Sequence, residues 1–348
     1  MNVQLQSGDL LKADRLDALV NTVNCVGVMG KGIALQFKLK WPQNFREYQA
    51  ACQRGDVKIG KMHVCNLGAL ATPRYIINFP TKQHWRGKSS LEYVRAGLVD
   101  LIEQIKDLEI SSIAIPPLGA GNGGLEWSAV RDLICETFTS LPEVTVHLYE
   151  PSGAPSPSSI EVRTEKPRMT AVRAAILRLL TVYQDLGYNL TRLEVQKLIY
   201  FLGAAGRTLP QINFEKGTYG PYCDKLRHVL RAMDGHFIRG LGDGTTESEI
   251  EPVPDALVEA NKVLKETDDQ LLHEQVERVA LLIEGFQTPY GMELLSTVHW
   301  VASNEPHART AEDAVAAVHA WNARKKAIFS AKHVEAAWNR LHEDRWVN

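Results

Sequence analysis

The sequence lacks paired cysteines and long apolar runs. Its 348 residues contain five cysteines at wide spacings and no Cys-x-x-Cys pair. We therefore expect neither a disulfide framework nor a zinc knuckle, and we expect a cytoplasmic location. No apolar run reaches the roughly 20 residues that a membrane-spanning helix needs, and residues 1–5 are too polar for a signal peptide. We therefore expect no membrane partner.

The sequence also lacks a large excess of either charge, since its formal net charge is only −2. Charge on the whole chain therefore implies neither a nucleic-acid partner nor a membrane surface. A local basic or acidic patch remains compatible with this balance and has to be argued from particular residues.

Two glycine-rich loops, at residues 24–31 and 117–124, lack the common nucleotide motifs. Gly30-Lys31 has neither the spacing nor the Ser/Thr of a Walker A sequence, and no first-turn Gly-x-Gly-x-x-Gly is present. Each loop nevertheless follows a predicted strand and precedes a predicted helix, where backbone N–H groups can approach phosphate oxygens. One such loop could be only a tight turn, but two in one domain favour binding of a phosphorylated ligand.

Strands and helices alternate in the first 152 residues, which predicts an α/β domain with a mixed sheet flanked by helices. Strands are expected at residues 3–6, 18–22, 61–65, 75–79, 112–116 and 144–150. Helices are expected at residues 31–40, 44–53, 91–108 and 126–139.

A Pro/Ser-rich stretch at residues 153–167 reads as a linker. From residue 168 to residue 348 the pattern predicts a mainly α-helical domain, with a small β-hairpin between residues 236 and 253. Its helices are expected at residues 169–186, 192–205, 222–233, 256–286, 289–303, 311–323 and 330–342.

Four separated motifs in the first 150 residues resemble a macrodomain, the ADP-ribose-binding fold. They are Gly8-Asp9-Leu10, residues 20–24, residues 30–34 and residues 116–127. The lysine-bearing first loop and Asn78-Phe79-Pro80-Thr81-Lys82 narrow the resemblance to the subclass that contains terminal ADP-ribose protein glycohydrolase and the DarG family of antitoxins. The linker and the helical second half also resemble the DarG family.

This resemblance implies which residues hold ADP-ribose. Asp9 matches the acid that accepts a hydrogen bond from the adenine amino group, although it could simply cap a turn after Gly8. Asn21 and Asn24 match the pair beside the distal ribose, although Asn21 could be a buried amide that ties loops together. The full expected set is Asp9, Leu10, Asn21, Thr22, Asn24, Gly30, Lys31, Gly32, Ile33, Pro117, Leu118, Gly119, Ala120, Gly121, Asn122 and Gly123.

Lys82 is the catalytic residue that the resemblance implies. Its amine could attack the anomeric carbon of the distal ribose, or its ammonium could stabilise charge on the leaving thymine and ring oxygen. Without the resemblance it would read as a solvated lysine. Terminal ADP-ribose protein glycohydrolase also uses an aspartate in the second loop, but residues 121–124 hold no carboxylate. We expect no cofactor and no metal.

His84, Trp85 and Arg86 follow Lys82 and could stack a base and hold a phosphate of single-stranded DNA. The alternative is that Trp85 packs on the next helix. In the second half, residues 197–202 and 217–222 loosely resemble the Panacea-type domains of toxin–antitoxin systems. The alternative for Tyr200, Phe201, Tyr219 and Tyr222 is ordinary helical core packing, which is favoured for Tyr200 and Phe201. An acidic cluster around the hairpin could mimic phosphates or be a solvated loop; it comprises Asp243, Glu247, Glu249, Glu251 and Asp255.

The resemblance implies a two-function antitoxin. Its macrodomain would hydrolyse the N-glycosidic bond between ADP-ribose and thymidine bases of single-stranded DNA, with ADP-ribose as product. Its helical domain would bind and neutralise a DarT-like DNA ADP-ribosyltransferase toxin. Two alternatives are an ADP-ribose-binding reader module and a hydrolase of ADP-ribosylated protein carboxylates.

Overall fold

The chain divides into two compact units, one up to Glu165 and one from Lys166 onward. The computed structural model describes residues 2–151, 159–184, 187, 190–210, 212–241, 249–267 and 269–347. The centre of the expected linker and the tip of the expected hairpin, with Asp243 and Glu247, lie outside these residues.

A six-stranded mixed sheet forms the first unit, as the alternating pattern predicts. Its order is β1-β6-β5-β2-β4-β3, and every neighbouring pair is parallel except β4 and β3. The strands are β1 (Val3–Gln6), β2 (Ala18–Asn24), β3 (His63–Asn66), β4 (Tyr75–Lys82), β5 (Ser112–Ile115) and β6 (Thr145–Tyr149).

Helices cover both faces of this sheet, and a short 3-10 helix spans Leu10–Lys12. Successive residues of β2 point to opposite faces. Val20 packs in the core with residues of α3 (Leu91–Asp107) and α4 (Trp127–Phe138), whereas Leu19 packs with residues of α1 (Gly32–Lys40). The helices are α1 (Gly32–Lys40), α2 (Pro42–Arg54), α3 (Leu91–Asp107) and α4 (Trp127–Phe138).

Strand β4 is longer than its sequence pattern predicts. We expected it to end at Phe79 because a proline follows, but it continues through Pro80 and Thr81 to Lys82. Pro80 pairs in register with Val23 of β2, whereas β3 pairs with β4 only as far as Asn78. A proline without a donor is tolerated where one neighbouring strand is absent, so Lys82 closes the strand rather than lying in a loop.

The second unit is mainly helical, and a small antiparallel β9–β10 pair confirms the expected hairpin strands. A second pair, β7–β8, was missed because each strand has only three residues. The strands are β7 (Glu215–Gly217), β8 (Gly220–Tyr222), β9 (Ile238–Arg239) and β10 (Glu251–Pro252). The helices are α5 (Ala171–Gln184), α6 (Arg192–Ala204), α7 (Leu226–Met233), α8 (Pro254–Glu266), α9 (Gln270–Ile283), α10 (Pro289–Asn304), α11 (Ala311–Trp321), α12 (Ala323–Ile328) and α13 (Ala331–Glu343).

The single helix expected over residues 256–286 is wrong, because two helices occupy this stretch. Asp269 caps the second of them by accepting a hydrogen bond from the backbone N–H of Leu272 at 3.0 Å. A capping carboxylate of this kind favours a new helix start over a continuous helix. No described helix is long and apolar enough to cross a membrane.

Candidate active site

The candidate site lies at the carboxyl edge of the sheet, where β2 and β4 end side by side. Asn24 and Lys82 are register partners at these two strand ends. The backbone N–H of Cys25 donates to the carbonyl of Lys82 at 3.1 Å and so extends the ladder by one residue. Parallel strands bring their carboxyl ends to one edge, which is where ligands bind in open α/β sheets.

Asn24 organises the first loop (residues 24–31). Its side-chain Oδ1 accepts from the backbone N–H of Val26 at 3.0 Å, and its Nδ2 donates to the carbonyl of Val28 at 2.6 Å. The hydroxyl of Tyr48 donates to the backbone carbonyl of Asn24 at 2.5 Å. The amide of Asn24 is therefore bound to its own loop, and its expected contact with the distal ribose stays a prediction.

The second loop (residues 117–124) is tight enough to exclude side chains at two of its glycines. Gly119 has a φ of +72°, which favours glycine. A Cβ on Gly123 would lie 2.2 Å from the carbonyl oxygen of Gly119 and 2.4 Å from Oγ of Ser89. The backbone N–H of Ser89 also donates to the carbonyl of Gly123 at 3.2 Å. Ser89 thus packs against the second loop at Gly123.

The two loops approach each other at Gly32 and Asn122. A Cβ built on Gly32, which has a φ of +56°, would lie 3.0 Å from Nδ2 of Asn122. Gly32 begins α1, and the residue before it, Lys31, makes no side-chain capping hydrogen bond. The first N–H groups of α1 therefore have no side-chain cap, and the helix dipole favours an anion there.

Lys82 reaches the second loop from across the edge of the sheet. Its Nζ donates to the backbone carbonyl of Asn122 at 2.5 Å. The side chain is half-buried, and this burial lowers the pKa of Lys82 below its ordinary value. Among the described residues no carboxylate forms an ion pair with it. Lys82 is therefore held in place by a neutral acceptor rather than by an acid.

Asp9 and its neighbours lie at the end of β1. Oδ1 of Asp9 accepts from the backbone N–H of Leu11 at 3.0 Å and caps the 3-10 helix. The capping role that the sequence allowed is thus present, while the adenine contact stays a prediction. Leu10 is buried in the core, and Thr22 is half-buried on β2.

Asn21 is fully buried and takes the amide-linking role that the sequence allowed, while its expected contact with the distal ribose stays a prediction. Its Nδ2 donates to Oδ1 of Asn78 at 2.9 Å, and Nδ2 of Asn78 donates to Oδ1 of Asn44 at 2.6 Å. Nδ2 of Asn78 also approaches Nδ1 of His63 at 3.1 Å. This buried network joins β2, β4, β3 and α2 below the first loop.

Sequence reasoning missed Ser89, Tyr48 and Asn44 as supports of the site. None of them lies in a glycine-rich loop, so no local motif points to them. Asn44 carried one usable signal, since a polar residue on the inner face of an amphipathic helix needs a buried partner.

Residues His84, Trp85 and Arg86 follow Lys82 in an exposed turn. Trp85 is 41% exposed, so much of its side chain is open to solvent, and its contact with DNA stays a prediction. The guanidinium of Arg86 lies 4.5 Å from the centroid of the Trp85 ring system.

In the second unit, Tyr200 and Phe201 are buried core residues, as their helical spacing favours. Tyr219 and Tyr222, in contrast, are 51% and 45% exposed. The described members of the acidic cluster, Glu249, Glu251 and Asp255, are exposed, which is compatible with both a partner surface and a solvated loop. Within the described chain no group of His, Cys, Asp and Glu side chains could hold a metal ion.

The sheet, the two glycine-rich loops and the uncapped start of α1 define a macrodomain, and the Macro domain family matches residues 20–134. A DNA ADP-ribosyl glycohydrolase of Thermus aquaticus is 49% identical over 334 residues, covering 96% of this chain and 91% of that protein. One of Mycobacterium tuberculosis is 45% identical over 360 residues, covering 96% and 97%. The chain belongs to the DNA ADP-ribosyl glycohydrolase family.

A solved structure, the macrodomain of Mycobacterium tuberculosis DarG, is 57% identical and covers 43% of this chain and 98% of that one, with a TM-score of 0.42. A DNA ADP-ribosyl transferase–DNA ADP-ribosyl glycohydrolase fusion protein of Thermosipho africanus is 35% identical over 165 residues. That match covers 43% of this chain and 42% of the fusion protein.

Proposed function

We propose that the first unit removes ADP-ribose from thymidine bases of single-stranded DNA by hydrolysing the N-glycosidic bond. Its family relatives are named DNA ADP-ribosyl glycohydrolases. The observation that carries the proposal is the position of Lys82, whose Nζ donates at 2.5 Å to the carbonyl of Asn122 in the second glycine-rich loop.

ADP-ribose binding follows from the two loops. The uncapped N-terminus of α1 at Gly32 suits the diphosphate. The second loop forms the opposite wall, because Asn122 approaches Gly32. The substrate's distal ribose would then lie toward the strand ends, beside Lys82 and the Asn24-organised first loop.

Lys82 can act in two ways. As a free amine it would attack the anomeric carbon: the C–N bond to lysine forms, the C–N bond to thymine breaks, and thymine leaves with the electron pair and takes up a proton. Water then releases ADP-ribose from lysine. As an ammonium it would instead stabilise negative charge on the departing thymine while water attacks. The lowered pKa of Lys82 increases the free-amine fraction.

The test is turnover of a single-stranded oligonucleotide that carries one ADP-ribosylated thymidine. The wild-type chain should release ADP-ribose and restore the oligonucleotide mass, whereas Lys82→Ala should not. Lys106→Ala is the matched control, because Lys106 is an exposed lysine in the last turn of α3. Turnover by Lys82→Ala at the wild-type rate would refute the role of Lys82.

Two other functions are separated by the same assay. A reader module would bind ADP-ribose without releasing it from any substrate. A hydrolase of ADP-ribosylated protein carboxylates would act on a modified protein and leave the oligonucleotide unchanged. The contact of Lys82 with the second loop disfavours the reader module, and the family membership favours DNA over protein.

We propose that the second unit, from about residue 168 to residue 348, binds and neutralises a DarT-like toxin in the cytoplasm. The Thermosipho africanus relative is named as a fusion of a DNA ADP-ribosyl transferase with a glycohydrolase, which supports a pairing of the two activities. Exposed Glu249 and Glu251 could occupy a basic DNA groove of such a toxin. A full-length Lys82→Ala chain that still inhibits the purified transferase would support binding; loss of all inhibition would contradict it.

A further inference from the structure

An exposed indole follows Lys82 in the turn that leaves β4. Trp85 is 41% exposed, which is high for a tryptophan, a residue type that is mostly well buried. The guanidinium of Arg86 lies 4.5 Å from the Trp85 ring centroid, and the imidazole of His84 lies 5.3 Å from it at an interplanar angle of 31°. The indole is thus flanked by two side chains while much of it stays open to solvent.

Backbone hydrogen bonds fix the turn that carries this indole. The N–H of Gly87 donates to the carbonyl of His84 at 2.9 Å. The N–H of Arg86 donates to Nδ1 of His84 at 3.2 Å, which requires the neutral imidazole to carry its proton on Nε2. A fixed aromatic ring loses little conformational entropy when it binds a partner.

Trp85 is within reach of the substrate strand. It lies three residues beyond Lys82, so their Cα atoms are at most roughly 11 Å apart. Nucleotides that flank a thymidine held at Lys82 are therefore within reach of the turn. The flat indole suits a nucleobase, because every base offers a π-face for stacking.

The charge of the turn also suits a nucleic-acid strand. Arg86 and Lys88 are exposed, and neither forms an ion pair with a carboxylate in the described part of the chain. Both cations are therefore available to a phosphate. Beyond the ADP-ribose that both substrates share, a polypeptide would offer neither a stacking base nor a regular row of phosphates.

We propose that Trp85 stacks on a nucleobase next to the modified thymidine while Arg86 contacts the strand's phosphate. This inference rests on the proposed hydrolysis of ADP-ribosylated DNA and adds the residues that select a DNA strand over a modified protein. Trp85 is a substrate-binding residue in this account and takes no part in breaking the bond.

Two substrates test the proposal: a single-stranded oligonucleotide with one ADP-ribosylated thymidine, and ADP-ribosylated thymidine as a nucleoside. Trp85→Ala should lower kcat/KM on the oligonucleotide roughly 5- to 150-fold, mostly through KM, and leave the nucleoside rate unchanged. Trp85→Phe should restore most of the loss. An equal loss on both substrates, or no loss on the oligonucleotide, would overturn the proposal.

Leu70→Ala is the matched control, because Leu70 is a fully exposed apolar side chain between β3 and β4, at the amino edge of the sheet. It should leave both rates unchanged. If the wild-type chain turned over neither substrate, the proposed hydrolysis would be contradicted but the strand contact would not. The strand contact is then judged by fluorescence anisotropy with an unmodified single strand.

In that binding measurement Trp85→Ala should weaken affinity, and Arg86→Gln should reduce the slope of log K against log salt by roughly 0.7. Wild-type affinity in Trp85→Ala, or an unchanged salt slope in Arg86→Gln, would overturn the strand contact whatever the outcome of the turnover assay.

Discussion

Replacing Gly123 by alanine should disrupt the second loop, because no room exists for a methyl group there. Its Cβ would lie 2.2 Å from the carbonyl oxygen of Gly119 and 2.4 Å from Oγ of Ser89. Both distances are more than roughly 1 Å short of an ordinary contact between non-bonded atoms. The carbonyl of Gly119 also accepts from the N–H of Leu125 at 3.1 Å, so moving it breaks the loop's own closure.

The expected cost has a structural and a catalytic part. Overpacking of this kind costs about 1–3 kcal/mol of unfolding free energy. The displaced loop also carries the Asn122 carbonyl that holds Lys82. A displacement of about 1 Å near a reacting centre lowers the rate on the order of 100-fold, so Gly123→Ala should lose activity as well as stability.

Urea unfolding and turnover of the ADP-ribosylated oligonucleotide measure the two parts. Gly121→Ala is the stability control, because its Cβ would meet no atom within 4 Å and its φ is not positive. Adding Ser89→Ala to Gly123→Ala should not rescue activity, since the overlap with the Gly119 carbonyl remains. Gly123→Ala with wild-type stability and wild-type turnover would refute the account of the loop.

Two predictions concern the second unit. The carboxylate of Glu293 neutralises the fully buried ammonium of Lys325 at 2.9 Å. Glu293→Gln should therefore lower the free energy of unfolding in urea by about 3–5 kcal/mol. The control, Glu277→Gln at an exposed residue, should change it little, and equal effects of the two substitutions would be inconsistent with a buried pair. Burial lowers the pKa of His299 to about 4, below its unfolded value of about 6.5, so the stability it contributes is complete above pH ~6.5 and is lost as the pH falls toward 4. His299→Gln should show a smaller loss over this interval, and an unchanged slope in urea titrations would contradict the assignment.

The sequence predicts the layout of the first unit well, because its strands alternate with helices and its loops are marked by glycines. It predicts Lys82 as a site residue only through a resemblance, since a lysine after Pro80 and Thr81 also reads as a solvated loop residue. Strand β4 can continue through Pro80 because β3 pairs with it only as far as Asn78. The length of β4 thus depends on a neighbouring strand, so the local sequence pattern does not predict it.

Interactions between distant residues explain the other differences. Asn21 is a buried link to Asn78 because those two residues are register partners on β2 and β4, and their separation in sequence hides this. Ser89 supports Gly123 through a backbone hydrogen bond that is likewise hidden by their separation in sequence. The missed β7–β8 hairpin is too short to show alternation, whereas the capping Asp269 was visible and could have divided the long helix.

The central claim, that Lys82 breaks the bond while the loops bind the ligand, is tested most directly on one preparation of Lys82→Ala. Isothermal titration with free ADP-ribose and a single-turnover assay on the ADP-ribosylated oligonucleotide are measured side by side with the wild-type chain. We expect similar affinities for ADP-ribose and a single-turnover rate reduced roughly 10²- to 10⁴-fold. A wild-type rate in Lys82→Ala, or a lost rate explained wholly by lost ADP-ribose binding, would contradict the account.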